Sequence, residues 1–175
     1  AKFIDGVLIM GERVCLEVYE TIFDDFFPLI MAGDHSTAYG TIAGIKKAYP
    51  KIRLGVVWIE AHADFHTTFT TPSGNMHGMP LATAIADDNL ENQVHYPDDE
   101  TVDHWNKIKN IGKIQPKIQP EDLVYIAVRD FEKEEEHLIR KNNIKVIPVQ
   151  EVRRKGVENV VRQALLHLSA CDDIY

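Results

Sequence analysis

Short apolar runs alternate along the chain with longer stretches in which apolar side chains recur at helical spacing. Uninterrupted apolar runs of this kind are typical of strands that are buried on both faces of a parallel sheet. Four such runs are predicted to be strands: 27–32, 54–59, 123–128 and 144–149. The helical spacing predicts helices over residues 12–25, 37–48, 79–87, 132–142 and 156–169.

The order of these elements predicts the fold class. Strands that alternate with helices form right-handed βαβ units, so we expect an α/β fold around a mostly parallel sheet. Residues 88–119 have no clear periodicity, and we expect an irregular segment there with a short strand near residues 107–111. Residues 172–175 resemble the start of a further strand.

Composition narrows the classes of function. The chain has 175 residues, with 27 acidic residues against 19 lysines and arginines, and its net charge is −8. This balance disfavours nucleic acid as a partner and suits a cationic substrate or a divalent metal. No apolar run approaches the roughly 18 residues that span a bilayer, and no secretory leader is visible. Two cysteines, Cys15 and Cys171, are too few for a disulfide scaffold, so we expect a cytoplasmic protein.

Four residues of ligand type follow the strand predicted at residues 54–59. Glu60, His62, Asp64 and His66 alternate along the chain, so they would share one side of a continuing strand. Open α/β sheets place their sites at the carboxyl ends of strands, which is where this group lies. Carboxylates and imidazoles without thiolates suit Mn²⁺, Fe²⁺, Co²⁺ or Zn²⁺. The alternative is a polar strand end made of solvated charges.

A second candidate follows the strand predicted at residues 27–32. His35 would lie at the same edge of the sheet as the first group and could meet it there. The alternative is a plain helix start, in which Asp34 or Ser36 caps the helix that begins near residue 37 and His35 is merely exposed.

Two loops carry further polar candidates. Ser73 and Asn75 could bind a polar substrate, and His77 could transfer a proton near neutral pH. Glu132 ends a polar segment after the strand predicted at residues 123–128. The alternatives are an ordinary turn for the first loop and a helix N-terminus with favourable acidic residues for the second.

Three of these segments, in this order, resemble the ureohydrolase superfamily, and within it arginase more than agmatinase or formimidoylglutamase. The family's G-G-D-H-S motif appears as A-G-D-H-S at residues 32–36, and its D-A-H-x-D motif as E-A-H-A-D at residues 60–64. The S-G-N-x-H-G motif of arginases is intact at residues 73–78. The resemblance implies a three-layer α/β/α sandwich around a mostly parallel sheet, with residues 1–175 as part of a single catalytic domain.

The resemblance also implies a complete site with two Mn²⁺ ions. By position, His35 and Asp64 resemble ligands of one ion, and His62 resembles a ligand of the other. Glu60 stands where the family has a bridging aspartate. Asp64 and His77 fall at catalytic positions, and His77 resembles the family's proton-transfer histidine.

Four other positions resemble contacts to an amino-acid substrate. Ser73 and Asn75 match residues that bind the α-carboxylate, and Glu132 lies where the family has an acidic contact to the α-amino group. His66 replaces an asparagine that binds the carboxylate in arginases; it is bulkier but can still donate a hydrogen bond.

The resemblance implies hydrolysis of L-arginine to L-ornithine and urea by a metal-bridging hydroxide. It also implies an enzyme that acts on a small molecule and forms trimers or hexamers. The alternatives are another ureohydrolase, acting on agmatine, a guanidino acid or formimidoylglutamate, and a non-catalytic arginase homologue. A histone-deacetylase-like metallohydrolase is more distant, because it shares the fold type but uses a different site pattern.

The sequence departs from the family pattern in three further respects. Glu60 is one methylene longer than the bridging aspartate, which could alter the metal spacing, and Ala32 replaces a glycine. The family's later S-x-D-x-D segment, which supplies two more metal ligands, has no counterpart before Tyr175. We therefore expect the chain to be an incomplete portion of a longer enzyme, with weak manganese binding and poor arginine hydrolysis by itself.

Overall fold

The structure is a computed structural model that describes residues 1–175. The chain forms two compact units, each built from two separate stretches of sequence. The helical unit contains Ala1–Lys51 and Asp64–Lys117, and the sheet unit contains Ile52–Ala63 and Ile118–Tyr175.

Four helices and the loops between them make up the helical unit: α1 (Ile4–Phe23), α2 (Ala38–Ala48), α3 (Pro80–Ile85) and α4 (Asp99–Lys109). Helices α1 and α2 pack backbone against backbone. A Cβ added to Gly40 would lie 2.4 Å from the Gly11 carbonyl oxygen, and one added to Gly44 would lie 2.7 Å from that of Cys15. Only glycine permits so close an approach, so these two positions set the distance between the helices.

The sheet unit contains four parallel strands: β1 (Leu54–Ile59), β2 (Leu123–Ile126), β3 (Lys145–Ile147) and β4 (Asp173–Ile174). Their order in the sheet is β3-β2-β1-β4, with all three pairs parallel. Strand β2 is buried throughout, as its uninterrupted apolar sequence predicts.

Three helices complete the sheet unit: α5 (Lys133–Lys141), α6 (Val149–Lys155) and α7 (Val157–His167). One face of α7, carrying Val160 and Ala164 at helical spacing, packs on the sheet together with the following residue Leu168. These side chains meet Val124 of β2 and Ile147 of β3 in one buried cluster. The predicted α/β class with a parallel sheet is confirmed.

Two predicted strands are wrong. Residues 27–32 form no strand, and the side chains of Phe27 and Leu29 are 89% and 82% exposed. A strand needs a neighbour to accept its backbone hydrogen bonds, and no other strand pairs with this segment. Residues 107–111 belong to the end of α4 and the turn after it. Helix α4 begins at a cap in which the Asp98 side chain accepts a hydrogen bond from the Thr101 amide at 2.7 Å.

The remaining differences concern boundaries and one additional helix. The predicted helix at residues 12–25 begins earlier, because α1 starts at Ile4. Helix α6 follows Pro148 directly and was not predicted. None of the helices is both long and apolar enough to cross a membrane.

Candidate metal and substrate site

Glu60 and His62 lie together at the carboxyl end of β1, in the sheet unit. The Glu60 amide continues the strand pairing by donating to the Ile126 carbonyl oxygen at 3.2 Å. The Glu60 carboxylate oxygen Oε1 lies 2.9 Å from His62 Nδ1. The two residues therefore form a carboxylate–imidazole pair at the end of the sheet where α/β sites form.

The residues around this pair are held by backbone hydrogen bonds across the ends of two strands. The Ala61 carbonyl oxygen accepts from the amides of Arg129 and Asp130, at 2.9 and 3.1 Å. The buried Tyr125 hydroxyl donates to the Ala63 carbonyl oxygen at 2.8 Å. The segment after β1 is thereby fixed against the segment after β2.

A second carboxylate–imidazole pair lies in the helical unit. His35 Nδ1 is 2.6 Å from Asp64 Oδ2, and the Asp64 side chain is only 10% exposed against 43% for His35. Asp64 adopts the left-handed conformation with φ of 50°, which aspartate tolerates better than most residues other than glycine. The Leu81 amide donates to the Asp64 carbonyl oxygen at 3.3 Å and holds that conformation.

Asp34 directly precedes His35 and fixes the turn that carries it. Its carboxylate accepts hydrogen bonds from the amide and the hydroxyl of Ser36, at 2.8 and 2.5 Å, and so caps the turn His35–Thr37. The Ser36 hydroxyl lowers the pKa of the Asp34 carboxyl below its ordinary value, and the nearby histidines His77 and His35 lower it further. The capping alternative is thus correct for Asp34, and His35 also contacts Asp64.

The loop with the S-G-N-x-H-G motif lies in the same unit. The Asn75 amide donates to Ser73 Oγ at 3.2 Å, and Gly74 has a positive φ of 74° that suits glycine. His77 lies in the short turn Met76–Gly78 and is exposed. It lines a cavity of about 160 Å³ together with Asp34 and Asn75. The structure therefore brings the first and third motifs together.

A tyrosine that the sequence did not single out anchors this loop. The buried hydroxyl of Tyr39 donates to the Met76 carbonyl oxygen at 2.5 Å, next to His77 in the chain. Burial, together with the charges of Asp64 and Asp34, raises the pKa of Tyr39 well above its ordinary value, so the hydroxyl keeps its proton. Tyr39 lies in the helix predicted at residues 37–48, and nothing in that sequence pattern indicates its contact with the loop.

The other two predicted substrate contacts have structural partners. His66 is buried, and its Nδ1 lies 3.2 Å from the Thr70 hydroxyl within the loop. Glu132 caps α5, since its side chain accepts from the backbone of the first turn and its amide donates to Glu135 Oε2 at 2.9 Å. The helix-cap alternative is therefore correct for Glu132, and a substrate contact there is still a prediction.

The donor atoms of the two pairs are of the types that bind divalent metals. Imidazole nitrogen and carboxylate oxygen are ligands of Mn²⁺ and similar ions. No group of three or more histidine, cysteine, aspartate or glutamate side chains in the chain is arranged to hold a metal ion. Each pair thus offers only two donor side chains.

The fold and these motifs agree with the comparisons to known proteins. A model of the arginase family matches residues 6–175. The chain belongs to the arginase family. It is 36% identical over 174 residues to the arginase of Bacillus subtilis strain 168, covering 99% of this chain and 53% of that protein. It is 37% identical over 163 residues to the arginase of Bacillus caldovelox, covering 93% and 48%.

Solved arginase structures have the same fold. The crystal structure of Bacillus subtilis arginase matches with a TM-score of 0.83 and 35% identity, over 98% of this chain and 54% of that chain. The native structure of Bacillus caldovelox arginase matches with a TM-score of 0.82 and 35% identity, over 98% and 52%. These matches confirm the arginase-like α/β fold and the family resemblance. The chain spans about half the length of the curated arginases it matches.

Proposed function

We propose that the protein containing these residues hydrolyses L-arginine to L-ornithine and urea with two manganese ions. The observation that carries this proposal is the pairing of His35 with Asp64 at 2.6 Å, in the unit that also contains the His77 loop. His35 and Asp64 are 29 positions apart in the chain, and the unit that brings them into contact also contains His77, the candidate for proton transfer.

In this proposal the chain supplies ligands from both pairs. His35 with Asp64, and Glu60 with His62, are the side chains that would hold manganese. When bound, the ions would lower the pKa of water so that hydroxide is available near neutral pH. Because neither pair is a complete ligand set, we propose that residues outside this chain complete the site, and that residues 1–175 form part of one catalytic domain.

The remaining roles concern the substrate. Ser73 and Asn75 lie on the loop that turns at Gly74 and would bind the α-carboxylate through hydrogen bonds. Glu132 would bind the α-amino group. His77 is exposed on the cavity and would deliver a proton to the leaving amine, as suits an imidazole near neutral pH. His66 would take the place of an asparagine among the substrate contacts.

Two alternatives are kept. Another ureohydrolase would act on agmatine, a guanidino acid or formimidoylglutamate, and among these Ser73 and Asn75 favour a substrate with an α-carboxylate over agmatine. A formimidoylglutamase structure from Bacillus subtilis shares the fold at 20% identity and a TM-score of 0.68. A non-catalytic homologue is favoured by Glu60, which stands where the family has aspartate.

The test is urea release from the full-length protein with added Mn²⁺, on arginine, agmatine and a guanidino acid. Formimidoylglutamate releases formamide and is assayed through that product. We expect arginine to be hydrolysed fastest and the 175-residue chain to be much slower than the whole protein. Absence of bound transition metal in the full-length protein, with no rescue by Glu60→Asp, would establish the non-catalytic alternative.

We further propose a cytoplasmic homo-oligomer, trimeric or hexameric, that acts on small molecules and not on nucleic acid. The net charge of −8 supports a small-molecule substrate over nucleic acid. The two free cysteines support a cytoplasmic location. Light scattering of the full-length protein would measure the oligomeric state.

A further inference from the structure

One cavity of the helical unit lies away from the residues of the candidate site. It has a volume of about 440 Å³ and is formed by α1, the end of α2, the end of α4 and the turn Ile111–Lys113. This volume falls in the range of small-molecule sites. None of its lining residues belongs to the three motifs or to their contacts.

Three lysines and one glutamate line this cavity, in a chain whose acidic residues outnumber its basic ones. Lys47 and Lys113 have no carboxylate partner, and the Lys47 ammonium lies 4.7 Å from the centre of the Tyr19 ring. Lys107 pairs with Asp103 at 2.6 Å. Lys47 and Lys113 therefore line the cavity without an ion-pair partner, and Glu12 is the one carboxylate in the lining.

A further lysine lies close to the wall of the cavity. Cys15 lines that wall, and although burial raises the pKa of its thiol, Lys47 and then the buried Lys117 act to lower it. The lining thus holds three lysines against the single carboxylate of Glu12. Like charges held near one another repel, and a bound anion would relieve that repulsion.

We propose that this cavity, which we call the lysine pocket, binds a small dianion such as a phosphate or dicarboxylate group. Lys47 and Lys113 hold the anion, and the carboxylate of Glu12 in the same lining weakens its binding by charge repulsion. Because Lys47 comes from α2 and Lys113 from the turn after α4, the bound anion joins parts of the helical unit and stabilises it.

The test is titration of the metal-free, full-length protein with inorganic phosphate at constant ionic strength, followed by thermal unfolding and calorimetry. Metal-free protein is used so that phosphate cannot bind to manganese. We expect a saturable rise of the melting temperature and a single binding event. The double variant Lys47→Gln, Lys113→Gln should weaken binding at least about tenfold, because both ammonium contacts are lost.

Lys51→Gln is the matched control, since Lys51 is exposed just past α2 and does not line the pocket. It should leave phosphate binding unchanged. Glu12→Gln should tighten binding several-fold, which a poorly folded variant could not do. The proposal is overturned if phosphate gives no saturable effect, if the double lysine variant binds as well as the original protein, or if Glu12→Gln does not bind more tightly.

Discussion

Asp64 Oδ2 lies 2.6 Å from His35 Nδ1, although the two residues are separated by 29 positions in the chain. Asp64 is buried and holds a left-handed backbone conformation with φ of 50°. This pairing joins the first and second motifs of the family within one unit. It is the most direct structural support for a role of both residues at one metal ion.

Two substitutions of Asp64 distinguish the effect of its charge from the effect of its left-handed backbone conformation. Asp64→Asn keeps the size and the tolerance of positive φ, so the protein should fold while Mn²⁺ affinity falls at least about tenfold. Asp64→Val should also unfold more easily, by about 1–3 kcal/mol, because a β-branched residue does not suit this conformation. Manganese titration and urea denaturation of the full-length protein measure the two effects. Unchanged manganese affinity in Asp64→Asn would contradict the ligand assignment.

The close approach of α1 and α2 makes Gly44 sensitive to a single methyl group. In Gly44→Ala the new Cβ would lie 2.7 Å from the Cys15 carbonyl oxygen, so the free energy of unfolding should fall by about 1–3 kcal/mol. Gly6→Ala is the matched control in α1, because no atom lies within 4 Å of its added Cβ. That variant should gain about 0.5–1 kcal/mol from helix propensity. If denaturant titrations gave the same change in the free energy of unfolding for Gly44→Ala and Gly6→Ala, the close contact between α1 and α2 would be contradicted.

The Tyr39 hydroxyl should matter to both stability and activity. Tyr39→Phe leaves the Met76 carbonyl oxygen without its 2.5 Å hydrogen bond, which should cost about 1–3 kcal/mol. Since His77 follows Met76, kcat for arginine should fall more than KM rises. Tyr19→Phe keeps the ring beside Lys47 and removes a hydroxyl that makes no hydrogen bond, so it should change stability by less than about 0.5 kcal/mol. A kcat equal to that of the original protein would exclude a positioning role for Tyr39.

Burial of Lys117 predicts how stability depends on pH. Burial lowers the pKa of this lysine from 10.5 to about 8, while its ammonium donates to the Lys109 carbonyl oxygen at 2.5 Å. Between pH 8 and 10.5 the unfolded chain binds more protons at this residue than the folded chain, so its contribution to stability rises with pH. Below about pH 8 both forms are protonated and the contribution is constant.

Comparison with Lys117→Met isolates this effect from the other groups that titrate at alkaline pH, Cys15 among them. The difference in the free energy of unfolding between the two proteins should shift in favour of the original protein as the pH rises from about 8 to about 10. Urea denaturation at several pH values measures the difference, and parallel curves for the two proteins would exclude the shift.

Residues 27–32 and 99–109 mark where sequence patterns were insufficient for the fold. The apolar run at 27–32 has the composition of a buried strand, but strand formation depends on a hydrogen-bonded neighbour that this chain does not provide. At 99–109, the Asp98 cap and the burial of Trp105 and Ile108 define a helix, although we expected a strand near its end. Burial of a helix face is a tertiary property.

The sequence by itself determined β1, β2 and β3, because short apolar runs between polar segments suit a buried parallel sheet, and its three motifs identified the family. Only the tertiary structure decided which side chains meet. His35 reaches Asp64 because a capped turn and a left-handed residue orient them, and Tyr39 fixes the His77 loop from a helix. Such contacts depend on distances between segments far apart in the chain, which periodicity and residue type do not specify.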